Sequence, residues 1–261
     1  MGHERVGILP KTKRWTTVVG DMASFSSEKN NVQEIAQQTL KNVQSRFEDI
    51  ERDKGVQSAF QFLVLLSVSA KHENPTRFLA KQGIKLSENI TPLQIAKAVT
   101  EWVSKQSQSN EYASFAQSAA IDAISEWYQK NQTFQQNLFA GDKDQFEVWR
   151  NSADGSGFCE LSRLYFSKFT ERYLKYFLER SASASMDSID TRNRFNAELE
   201  RHLGEISNHA FETAKITQSF AAGWFKKNTK DSLPSNRKIQ GFLNIAFKKM
   251  KGELLREENT K

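Results

Sequence analysis

The chain has 261 residues and only 38% hydrophobic ones, but 19 Phe and 5 Trp carry large apolar areas, so a packed core is within reach and a wholly disordered chain is excluded. Its single cysteine, Cys159, rules out an intramolecular disulfide or a multi-cysteine zinc site and fits a reducing, cytoplasmic compartment. The formal net charge of +6 is uneven: residues 224–261 hold ten Lys/Arg against four Asp/Glu, whereas residues 1–223 hold twenty-seven of each.

Four Pro and 12 Gly are too few for the turns of a strand-rich domain and favour long helices. Residues 1–15 lack the apolar stretch of a signal peptide, and Gly7 and Pro10 make them an extended arm. Residues 30–52 read as an amphipathic helix, with Val32, Ile35, Ala36, Leu40, Val43, Phe47 and Ile50 at three- and four-residue steps. Lys54-Gly55 ends it. The run 56–72 is nearly all apolar and shorter than the roughly 20 residues of a membrane span, so it reads as a central core helix.

Asn74-Pro75 and Thr91-Pro92 both place a capping side chain before a first-turn proline, and each predicts a helix start. Gly83 closes the first of these helices, and residues 104–110 form a polar break after the second. Residues 111–130 follow as a helix with Tyr112, Phe115, Ala119, Ala123 and Trp127 along one side. After a weakly patterned stretch, Ala153-Asp154-Gly155-Ser156-Gly157 reads as a loop and a lobe boundary. Residues 158–180 form a long aromatic helix, and residues 189–227 a very long one with a kink expected at Gly204. Leu233-Pro234-Ser235 breaks the chain before a last helix over 236–258.

The expected architecture is all-α: a multi-helix bundle of about seven to nine helices. It is divided into an arm (1–16), an N-terminal helical lobe (17–153) and a C-terminal long-helix lobe (154–261). Phe47, Phe62, Leu65, Trp102, Phe115, Trp127, Phe169, Phe177 and Phe220 are the expected core.

Catalytic signatures are thin. Cys159 sits between Phe158 and Leu161 in an apolar helix, the setting of a structural thiol. The chain has no Gly-x-Ser-x-Gly elbow, Walker A loop or dinucleotide fingerprint. Glu198, His202, Glu205, His209 and Glu212 share one helical face, but bundle di-metal sites need matching ligands on facing helices. The stripe therefore reads as solvated Glu–His contacts, and no cofactor, metal or catalytic residue is expected.

The stronger signal is basic. Ile239, Phe242, Leu243, Ala246, Phe247, Met250 and Leu254 form one apolar face of the last helix, and Ile245 falls off it. Arg237, Lys238, Lys248, Lys249 and Lys251 lie around the other side, and Lys226 and Lys227 end the helix before. Lys11, Lys13, Arg14 and Trp15 repeat the theme in the arm. These residues are the expected partner-binding set.

The first functional expectation is a non-catalytic helical interaction protein whose partner is another protein subunit. Its general style is that of helical subunits in bacterial multi-protein systems, phage-defence systems among them. The alternative is a peripheral protein that binds an anionic membrane surface or nucleic acid through the basic terminal helix. A metal-dependent enzyme on the His202/His209 face ranks last.

Overall fold

A computed structural model describes residues 47–86, 90–107, 111–131, 146–186, 188–199 and 216–256, and every regular element among them is helical. These are α1 (Phe47–Arg52), α2 (Lys54–Ser69), α3 (Pro75–Lys81), α4 (Pro92–Gln106), α5 (Glu111–Asn131) and α6 (Glu147–Arg150). A 3₁₀ turn (Asn151–Ala153) leads into α7 (Gly155–Ser185), followed by α8 (189–199), α9 (Ile216–Asn228) and α10 (Asn236–Arg256). The all-α expectation holds. The extended arm, most of the helix expected over 30–52 and the kink at Gly204 lie outside the described residues.

The chain packs as two compact units: Met1–Ser45 with Glu171–His209, and Arg46–Thr170 with Ala210–Lys261. This division runs along different lines from the lobes 17–153 and 154–261. In the larger unit, thirteen of the sixteen residues of α2 are buried, so this helix has to sit at the centre. Asp53 caps it, its Oδ1 accepting from the Gly55 and Val56 N–H groups at 2.8 and 3.0 Å. Helices α4, α5, α1 and α10 pack around it.

The buried stripe of α5 is Ala113, Ala116, Ala119, Ala120, Ala123, Ile124 and Trp127. Tyr112 and Phe115, expected on this stripe, are half-buried instead. The reason is close approach: a Cβ added at Gly55 of α2 would run into Ala113, and only small side chains fit such a contact. Trp102 is also half-buried, with its indole Nε1 donating to the Ser58 carbonyl at 3.0 Å. Gln117 Nε2 donates to Thr100 Oγ1 at 3.2 Å, which ties α5 to α4.

Both proline-marked starts are as expected. Asn74 Oδ1 accepts from Arg77 N–H at 2.9 Å. Thr91 and Gln94 form a reciprocal capping box. Gly83 ends the α3 segment with a φ of 87°. The polar break begins later than the composition suggests. Ser104, Lys105 and Gln106 remain helical because they occupy the exposed side of α4, and Ser107 ends it.

The glycine-rich loop is a correction. Gly155, Ser156 and Gly157 form the first turn of α7, with Asp154 Oδ1 accepting from Gly157 N–H at 2.7 Å. A Cβ at Gly157 would collide with the Asn151 carbonyl oxygen, so the glycine serves a packed contact. The segment lies inside the larger unit.

Aromatic rings join α2, α7, α9 and α10 into one core. Phe60 stacks on Phe242 at 4.9 Å and meets Phe158 edge-on at 6.0 Å. Phe158 stacks on Phe225 at 4.2 Å, and Phe247 meets Phe166 edge-on at 5.5 Å. Phe62, Leu65, Trp127 and Phe169 are buried as expected, whereas Phe220 is half-buried. The side chains of Phe47 and Phe177 lie outside those described.

In the smaller unit, Tyr173, Leu178, Ala182, Met186, Phe195 and Leu199 are buried. Arg192 Nη2 of α8 donates to the Met186 carbonyl at 3.1 Å, just past the end of α7.

Candidate interaction surface

Helices α9 and α10 are joined by residues 229–235, and local chemistry settles both helix ends. Asn228 Nδ2 donates to the Trp224 carbonyl and Thr229 Oγ1 to the Phe225 carbonyl, both at 2.8 Å, which satisfies the last carbonyls of α9. Pro234 cannot continue a helix, and Ser235 caps the next one, its Oγ accepting from Lys238 N–H at 3.4 Å.

The apolar face of α10 is part of the protein's own core. Ile239, Phe242, Leu243, Ala246 and Phe247 are all buried, and α10 packs on α1, α2 and α9. Ile245 is 41% exposed, as its place off the apolar stripe requires. The described part of this face is therefore covered by the protein itself, and the exposed side carries cations together with Gly241 and Ile245. The side chains of Met250 and Leu254 lie outside those described.

Lys226, Lys227, Arg237, Lys238 and Lys248 are all exposed. Lys249 is half-buried, its Nζ 5.1 Å from the centroid of the Phe220 ring, so it also serves the fold. Phe220 also stacks on Phe242 at 5.1 Å. The Lys251 side chain, and Lys11, Lys13, Arg14 and Trp15, lie outside what is described.

Two further cations belong beside this set. Lys230 is exposed just after α9; its place in the basic segment was the signal for it. Lys71, from the end of α2, donates to Thr229 Oγ1 at 3.2 Å and lies 4.5 Å from the Phe225 ring centroid. Burial lowers its pKa from the ordinary lysine value, and the nearby Asp154 carboxylate opposes the shift. No local pattern signals Lys71, because its partner Thr229 is 158 residues away.

Cys159 is buried, and burial first of all pushes its thiol up; Arg163 opposes this and Glu160 adds to it. A raised thiol is a poor nucleophile. Of the His/Glu stripe, Glu198 is half-buried, and His202, Glu205, His209 and Glu212 lie outside the described residues. Among the described residues, no group of three or more His, Cys, Asp or Glu is placed to hold a metal ion. No described helix is long and apolar enough to cross a membrane.

Comparison of the chain with family models, curated proteins and solved structures gives no match.

Proposed function

We propose that this chain is a non-catalytic interaction protein, a helical subunit of a multi-protein assembly, and that it engages an acidic protein partner through the cationic outer side of α9 and α10. One observation carries the reading. The helix pair turns its apolar residues into the core while Lys226, Lys227, Arg237, Lys238 and Lys248 all face solvent. Concentrated charge of this kind raises the rate of encounter with an opposite charge and selects against wrong partners. A membrane-surface role is less favoured, because an interfacial helix must offer its apolar face to the lipid boundary. In α10 that face is filled by Phe60, Phe220 and the other core aromatics.

The test is a charge-reversed variant with Lys226, Lys227, Lys238 and Lys248 all changed to Glu. Lys249 is left alone because of its contact with Phe220. The variant keeps its helical spectrum and melts close to the parent, since exposed charges contribute about 0–1 kcal/mol each. Quantitative affinity purification from the native cell shows a partner held by the parent at low salt, released at high salt and not retained by the variant. Retention of the same partner by the folded variant at every salt concentration refutes the reading.

A further inference from the structure

A glycine inside a helix costs stability relative to alanine unless something needs the space above it. Within this fold the need is visible at most positions. Gly55 and Gly157 make close contacts with Ala113 and Asn151, and Gly155 lies against Ala222, whose carbonyl oxygen is 3.0 Å from an added Cβ. Gly83 has the left-handed φ. Gly223 and Gly241 differ. Both are exposed within helices, and a Cβ added at either would meet nothing within 4 Å. Gly241 stands in the basic segment, and Gly223 immediately precedes it. Packing among the described residues gives no reason for either.

On α10 the outward glycine belongs to a pattern. Lys238, Gly241, Ile245 and Lys248 recur at steps of three, four and three, so they form one seam along the helix, and all four are exposed. Ile245 is one of three large apolar side chains left exposed among the described residues. From Asn236 to Gly252, α10 has no acidic residue. With a rise of 1.5 Å per residue, the two lysines bracket about 15 Å of helix. A three/four seam with bare backbone at one position and an apolar knob one turn later suits a second helix. That helix places a side chain over Gly241 and takes Ile245 between its own side chains. The bracketing lysines require it to be acidic.

We infer that the seam Lys238–Gly241–Ile245–Lys248 docks an acidic amphipathic helix of the partner protein. This rests on the proposed function and narrows it from an acidic surface to a helix in register. Duplex DNA would use the lysines and ignore Gly241 and Ile245. A lipid surface would need a continuous apolar face, not one isoleucine.

The test uses the full chain and a synthetic helix-forming peptide with Leu and Ala at three/four spacing and Glu on both flanks. A scrambled peptide of the same composition, a DNA duplex and phosphatidylserine vesicles serve as comparison probes. The helical peptide binds at least about tenfold more tightly than the scrambled one and gains helicity on binding. Gly241→Leu, which fills the space over the backbone, and Ile245→Gln, which removes the knob, each abolish that tenfold difference. Gly223→Leu on α9 leaves it unchanged. Salt-sensitive but equal binding of the two peptides overturns the seam and leaves the cationic surface standing. Absence of salt-sensitive binding to any probe overturns both. Tighter binding of DNA or vesicles than of the helical peptide overturns the acidic helix in favour of that polyanion.

Discussion

Glycines at two helix positions have opposite meanings, and burial explains the difference. At Gly157 the Asn151 carbonyl occupies the place of a Cβ, and at Gly223 that place is empty. Gly157→Ala therefore forces the first turn of α7 away from the 3₁₀ turn and destabilises the protein by about 1–3 kcal/mol, the range for overpacking. Gly223→Ala stabilises it by about 0.5–1 kcal/mol, the difference in helix propensity. Urea unfolding of both variants checks the two signs together. The sequence marked 153–157 as glycine-rich and could not say why. A loop and a tightly packed helix start share that composition, and only the position of Asn151 separates them.

The two proline-marked helix starts were legible because their signals lie within one turn. Thr91, Pro92 and Gln94 supply a cap, a preset φ and the reciprocal bond at a single site. Thr91→Ala should cost about 1 kcal/mol, read as a lower urea midpoint with an unchanged slope. Contacts between helices were less legible. Glu126 of α5 pairs with Lys130 at 3.0 Å and with Lys168 of α7 at 3.3 Å. Burial alone would raise its carboxyl; the two ammonium groups outweigh that and hold it below the ordinary carboxylate value of 4.5. A carboxyl lowered in the folded state contributes stability above its unfolded pKa and loses it as pH falls through the folded one. The contribution is thus fully present near neutrality and declines below about pH 4.5. Glu126→Gln should remove up to about 1 kcal/mol at neutral pH and nothing at the acid end, as a pH series of urea midpoints would show. The Lys130 partner lies four residues along the same helix, a local spacing, whereas the Lys168 partner requires α7 to lie beside α5.

For the whole molecule, the far-ultraviolet circular dichroism should be that of a helical protein without a β component. A substantial β signal would contradict the fold. The class, the two proline-marked helix starts and the concentration of charge in residues 224–261 were determined by the sequence alone, because capping, periodicity and charge are properties of residues close together in the chain. Which face meets which was decided only by the tertiary structure. The amphipathic pattern of the last helix does not by itself separate a core helix from one that docks on a partner or lies on a lipid surface. Its apolar face became core because α1, α2 and α9 surround it and Phe60 and Phe220 stack on Phe242. The alanine face of α5 and the contact of Lys71 with Thr229 follow the same rule. Each depends on a surface from a distant part of the chain, and no local pattern encodes where that surface will lie.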